Sequence, residues 1–144
     1  MSGAYSVVYD TTALLDFFAG TRQGREVAEL LEDEDVENII PTVVLCELAG
    51  KLKAMKVDPD GYLSVLEKNC VVVELDRNVA IEAGALHAEL NEVEPGISKI
   101  DCIIMIHAQM KGAMIVSRDK HFRHYKNLKM VNDPRLKPWA SLAA

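Results

Sequence analysis

The 144-residue chain is 49% hydrophobic and 26% charged, with a net charge of −6; this is the profile of a single globular domain able to bury a core without disulfides or structural metal. No run of about 18 apolar residues is present to span a membrane, and the opening MSGAYSVVYD has no basic segment ahead of an apolar one, so no secretory signal is expected. Cys46, Cys70 and Cys102 are odd in number and widely spaced, which argues against a disulfide framework or a zinc ribbon; each sits in an apolar run, reads as a small buried hydrophobe, and points to a reducing cytoplasm.

Short β-rich runs alternate with longer helical ones. YSVVY (5–9) is a compact strand signal ending in Asp10, and TALLDFFAG then predicts a helix closed by Gly20. From Arg22 to Glu34, Val27, Leu30 and Leu31 share one face, while Glu26, Glu29, Glu32, Asp33 and Glu34 point elsewhere, giving a solvated amphipathic helix. ENIIP (37–41) is a second strand, and Thr42 opens a helix with Leu45, Leu48, Leu52 and Met55 at helical spacing. After Asp58-Pro59-Asp60 a short helix runs to about Lys68, and CVVVEL (70–75) is the clearest strand, dense in valine. Arg77 to Glu92 is helical, with Val79, Ala83, Leu86 and Leu90 on one stripe. EPGIS breaks the chain, and Ser98 caps a helix to Lys111 that is apolar almost all round and so heavily buried. Gly112 ends it, AMIVS is a fourth strand and LKMVN (128–132) a fifth. The alternation predicts an α/β fold with a mostly parallel sheet covered on both faces. One domain is expected over 1–132, followed by a turn-like tail over 133–144.

Charge is divided along the chain. Residues 1–97 carry 7 Lys+Arg against 19 Asp+Glu, a balance of −12, whereas residues 98–144 carry 9 against 3, a balance of +6. A basic C-terminal third on an acidic body is suited to meeting a phosphate backbone locally; an acidic solvated face with chance clustering elsewhere produces the same numbers.

In parallel α/β folds ligands bind beyond the carboxyl ends of the strands, which directs attention to the acids placed there. Asp10 directly follows the first strand, and Asp119 follows the fourth after two residues. Asp101 lies in the first turn of the most buried helix, and Glu47, in VVLCELAG, lies in the second turn of the helix after strand two. Each has a plain structural reading: Asp10 and Asp119 as helix or turn caps, Asp101 at the positive end of a helix dipole, Glu47 as an ordinary helical glutamate. Brought to one rim, several carboxylates repel and do not all stay ionised without a cation. Mg2+ and Mn2+ take oxygen ligands of this kind, and between carboxylates such a metal activates water and stabilises charge on a phosphoryl group.

The ordered set Asp10-Thr11-Thr12, Glu47, Asp101 and SRDKHF resembles the PIN-domain ribonucleases, most closely the small stand-alone VapC-like toxins, from about Tyr5 to Val131. The opening YDTTALL and the later AMIVSRDKHF carry the resemblance most strongly. It implies a three-layer α/β/α sandwich with a central five-stranded parallel sheet, and Mg2+- or Mn2+-dependent endonucleolytic cleavage of RNA that leaves a 5′-phosphate and a 3′-hydroxyl. In that picture Asp10, Asp101 and Asp119 hold the metal or metals, and Glu47 binds through water or orients the nucleophile. Thr12, where serine is commoner, and Ser117 fix carboxylate orientation. The resemblance further implies a homodimer and a cognate antitoxin laid across the active-site groove. A PIN fold that binds RNA or a partner without cutting, or an RNA-processing nuclease that is not a toxin, fits the same acids.

Lys99, Arg118, Lys120 and Arg123 flank the third and fourth acids and are candidates for contacting RNA phosphates, or else ordinary surface charge. Phe122 and His107 read as core residues, the histidine hydrogen-bonded; Met105, Met110 and Met114 read as core as well. His121 and His124 lack ligand spacing with a third partner and read as loop residues. Trp139 sits in the Pro-flanked tail. No Walker A loop, G-x-G-x-x-G or G-x-S-x-G is present. The paired acids of haloacid-dehalogenase phosphatases and response regulators are missing at strand one.

Overall fold

The structure, a computed structural model, describes residues 5–130. The elements run β1 (Tyr5–Tyr9), α1 (Thr11–Ala19), α2 (Arg22–Glu32), β2 (Val36–Pro41), α3 (Thr42–Ala54), α4 (Pro59–Asn69), β3 (Val71–Val73), α5 (Arg77–Leu90), α6 (Lys99–Lys111), β4 (Met114–Ser117) and β5 (Leu128–Met130), with a 3-10 turn at Lys120–Phe122. The five strands form one sheet in the order β3-β2-β1-β4-β5, and every pairing is parallel. Right-handed crossovers put the helices of β1-to-β2 and β2-to-β3 on one face and those of β3-to-β4 on the other. The packing agrees: α1 lies on α2 and α3, α3 on α4, and α5 on α6. This is the expected three-layer α/β/α sandwich with five parallel strands.

Burial explains why the central strands are apolar runs rather than alternating ones. Val7, Val8 and Tyr9 of β1 and Ile115 and Val116 of β4 are fully buried, because helices cover both faces of the sheet there. One polar connection is built into this core. The Tyr9 hydroxyl donates to Asn38 Oδ1 at 2.6 Å, and the Asn38 amide reaches the Leu30 and Leu31 carbonyls at 3.3 and 3.4 Å. Asn38 thereby ties the C-terminal end of α2 to the sheet while satisfying a buried hydroxyl.

The helix ends follow the chain's local chemistry. Gly20 and Gly112 close α1 and α6 in left-handed conformations, φ 68° and 60°. Gly24 serves close packing instead. A Cβ there would lie 2.0 Å from the Asp16 carbonyl oxygen, so only glycine lets α2 pack this closely on α1.

Several expectations are corrected. β3 covers 71–73, not 70–75, because it is an edge strand whose only partner ends at Pro41, opposite Val73, where α3 begins. α2 and α5 stop two residues earlier than expected. Cys46 is exposed, not buried, since it lies about 200° around α3 from both Val44 and Leu48, which face the core; Cys70 is half-buried and Cys102 buried. Met110 is 59% exposed at the end of α6, while Met105 and Met114 are core. His107 is buried, but its Nε2 has no hydrogen-bond partner among the described residues, and burial pushes its pKa down. Residues 131–132 of the expected fifth strand, the boundary at 132 and the tail with Trp139 lie outside the described residues.

Candidate metal centre

The strand order reverses direction at β1 and β4, so their carboxyl ends flank the crevice where such folds bind ligands. Asp10 leaves β1 there and Ser117 ends β4. The two are locked together: Ser117 Oγ donates to Asp10 Oδ2 at 2.6 Å and accepts from the Asp119 backbone N–H at 2.8 Å. Thr12 Oγ1 donates to the Asp10 carboxylate at 2.9 and 3.0 Å and accepts from the Arg118 N–H at 3.2 Å. Thr12 and Ser117 therefore bridge the ends of both strands while orienting one carboxylate.

Each of these acids is also a cap. Asp10 accepts from the Ala13 N–H at the start of α1, and Asp119 accepts from the His121 N–H at the start of the 3-10 turn. Asp101 forms a capping box with Ser98: its carboxylate accepts from the Ser98 N–H, and the Ser98 hydroxyl accepts from the Asp101 N–H, both at 3.0 Å. The structural and ligand readings of these residues are thus compatible.

Electrostatics sets the acids apart from surface carboxylates. Asp10 is 3% exposed, and burial pushes its carboxyl up to about 6 despite the hydrogen bonds from Ser117, Ala13 and Thr12, with the charge of Asp119 adding to the rise. Burial likewise raises Asp101, and Asp119 again adds to it. The charge of Asp119 adds to the burial that raises Asp10 and Asp101, and a cation held among these carboxylates would relieve the repulsion.

Asp119 stands in the middle of the cluster. One oxygen each of Asp101 and Asp119 and a ring nitrogen of His121 lie within 4.8 Å of one another. His121 Nδ1 is 3.1 Å from Asp119 Oδ1 and 3.7 Å from Asp101 Oδ2. Asp10 adjoins this group through Ser117. Glu47 is reached by a separate link: it accepts a 2.6 Å hydrogen bond from Thr11 Oγ1, one residue beyond Asp10. The donor set, carboxylate oxygens with one imidazole at a crevice, is one that a divalent cation fits.

The basic candidates divide. Arg118 pairs with Asp16 (Nε to Oδ2 2.8 Å), and Arg123 pairs with buried Glu94 (Nε to Oε1 2.8 Å) alongside His124 at 3.2 Å. These two arginines hold the segment after β4 onto α1 and onto the α5–α6 connection, which limits their freedom to meet phosphate. Lys99 and Lys120 are exposed and make no ion pair among the described residues.

Sequence reasoning missed His121, Asp16 and Glu94. An acid inside the otherwise apolar TTALLDFFA signals a buried partner, and that signal marks Asp16. Glu94 in the turn VEPG carries no such mark. His121 becomes visible only once its own N–H is seen to cap Asp119, folding the ring back over it.

Solved structures share this architecture. A toxin–antitoxin complex from Klebsiella pneumoniae contains a chain 19% identical, with TM-score 0.71 over 88% of this chain and 98% of that one. VapBC2 from Rickettsia felis, bound to a DNA fragment from its promoter, gives 20% identity and TM-score 0.69 over 87% and 96%. DNA-bound VapBC from Salmonella typhimurium gives 23% identity and TM-score 0.63 over 88% and 96%. At such identities the likeness is one of fold. No curated protein matches the sequence. The sequence model of the PIN domain matches residues 7–128. The chain belongs to the PIN domain family, whose members are generally nucleases, and its fold is that of the VapC-like toxins.

Proposed function

We propose that this protein is a Mg2+- or Mn2+-dependent endoribonuclease and the toxin of a type II toxin–antitoxin pair. The observation that supports the reading is the grouping of Asp101, Asp119 and His121, whose ligand atoms lie within 4.8 Å of one another, with Asp10 linked to the Asp119 backbone through Ser117 at the reversal point of the sheet. Asp10, Asp101 and Asp119 would hold the metal, and Glu47, oriented by Thr11, would act through water or position the nucleophile. When bound, the metal supplies charge stabilisation at a phosphoryl group and a more acidic water. Ser117 and Thr12 fix the Asp10 carboxylate, so little reorganisation is required on binding. Of the four candidate cations, Lys99 and Lys120 make no ion pair among the described residues and would contact RNA phosphates.

The partner side rests on the toxin–antitoxin complexes of similar fold. A groove of about 570 Å³ lined by Phe17, Phe18, Tyr62 and Val65, between α1 and α4, offers apolar surface for an antitoxin segment. A homodimer in the cytoplasm completes the reading. Among the described residues no helix is long and apolar enough to cross a membrane.

Purified protein with Mn2+ or Mg2+ should cut RNA, and Asp10→Asn or Asp101→Asn should abolish the activity. Undiminished cleavage by both variants would remove the site assignment. A second reading, a partner-binding module that does not cut, draws on the engagement of Arg118 and Arg123 in ion pairs, which leaves them less free to meet RNA phosphates. Calorimetric titration with Mn2+ separates the two, since only the nuclease needs a filled site. Growth arrest on expression, relieved by a small protein encoded next door, separates a toxin from an RNA-processing enzyme.

A further inference from the structure

We propose that His121 is a nitrogen ligand of this centre and makes it selective for Mn2+ over Mg2+. The proposal deepens the metal-nuclease reading and rests on it.

Three observations meet at this side chain. Its Nδ1 lies 3.1 Å from Asp119 Oδ1 and 3.7 Å from Asp101 Oδ2. Two ligands at right angles, each about 2.1 Å from a divalent ion, stand about 3.0 Å apart. The His121–Asp119 spacing is that of adjacent ligands of one ion, and the third donor, on Asp101, lies within 4.8 Å of both, so binding an ion draws Asp101 inward. Second, the turn that carries the ring is fixed: the His121 backbone N–H donates to Asp119 Oδ1 at 2.9 Å. The ring's Nε2 lies on the side of Gly96, which leaves that nitrogen clear of any neighbouring side chain from this position. Third, the ring is about a third exposed, 36% for its side chain. Water can accept the Nε2 proton when Nδ1 serves as the ligand.

Ligand chemistry then sets the metal. Carboxylate oxygens and water suit Mg2+, which is hard and dehydrates reluctantly, whereas an imidazole nitrogen raises affinity for transition ions relative to it. Mg2+ would rely on the carboxylates, and His121 would add little to its binding. Mn2+ accepts the same oxygens and gains the nitrogen.

The test uses the full chain and Mn2+ itself. Pulsed electron paramagnetic resonance of bound Mn2+ should show the modulation of a directly coordinated nitrogen. His121→Asn should remove that modulation and weaken Mn2+ binding on the order of tenfold or more, while Mg2+ affinity, measured by competition, changes far less. His124→Asn, at the other histidine beside a carboxylate, should leave the signal intact. Bound Mn2+ without nitrogen modulation in the unsubstituted protein overturns the proposal but leaves the metal site standing, with His121 only orienting Asp119. The same holds if the modulation survives His121→Asn or vanishes in His124→Asn. Absence of Mn2+ binding by the unsubstituted protein overturns the metal-nuclease reading and this proposal together. The spectrum of the unsubstituted protein is decisive even if the variant folds poorly.

Discussion

Asp10 carries an energetic cost that should be measurable without substrate. Its carboxyl is buried and titrates at about 6, against 3.8 in the open chain. Between these values the folded protein holds a proton that the unfolded chain has released. Stability therefore falls as pH rises through the window from about 4 to 6, and the full cost is present above it. A shift of about two units corresponds to about 3 kcal/mol at neutral pH. Asp10→Asn removes the charge. The amide oxygen can still accept from Thr12 and Ala13, but the NH2 group takes away the acceptor of the Ser117 hydroxyl proton. One lost hydrogen bond costs about 1 kcal/mol. The variant should therefore be more stable than the unsubstituted protein by about 2 kcal/mol at pH 7 and less stable by about 0.5 kcal/mol at pH 4, where part of the cost is already present. Urea unfolding in chelator from pH 4 to 8 reads the difference directly. Parallel pH profiles for the two proteins, or a variant less stable at pH 7, would refute the account of Asp10 as a desolvated carboxylate. Added Mn2+ should raise the stability of the unsubstituted protein and not that of the variant.

Other changes probe the supports of the site. Gly24→Ala places a methyl within the Asp16 carbonyl and should cost several kcal/mol, on the order of the larger overpacking effects, visible as a lowered Tm. Asn38→Leu strands the Tyr9 hydroxyl and removes the side-chain donor to the Leu31 carbonyl, while Leu30 keeps the Asp33 N–H, a loss of about 2–3 kcal/mol by urea unfolding; adding Tyr9→Phe should restore part of it. Glu94→Gln removes the charge opposing Arg123 and should weaken Mn2+ binding by loosening the turn that carries His121. Unchanged affinity would mean that the Glu94 pair does not support the site. Ser117→Ala uncouples Asp10 from the Asp119 backbone and should lower metal affinity about 10–100-fold, measured by calorimetry.

How much of this could be read from sequence depended on what each feature needs. β1, β2 and β4 were legible because strands covered on both faces must be apolar throughout, and α1 and α6 because their caps and terminal glycines are local. β3 was overread because its length is set by where its partner stops, a property of β2 and α3 and not of CVVVEL. Asp10, Asp101 and Asp119 were legible through their places at strand and helix ends. The link between Glu47 and Thr11 joins two helices 36 positions apart and leaves no local trace. The same holds for the ion pairs of Arg118 and Arg123, which clamp the segment after β4 to α1 and to the α5–α6 connection.

That Asp10 and Asp119 cap a helix and a turn, while Asp101 completes the Ser98 capping box of α6, has a consequence for how such a protein decays over evolution. Asparagine caps nearly as well as aspartate but brings no negative charge to a cation. A relative that no longer binds a cation, yet must still fold, can lose its acids at least cost by becoming Asn or Ser at positions 10 and 119 and Gln at position 101, whereas Ala or Leu would remove these backbone hydrogen bonds as well. Inactive descendants of this fold should therefore be recognisable by neutral caps in place of acids, a residue pattern distinct from random loss.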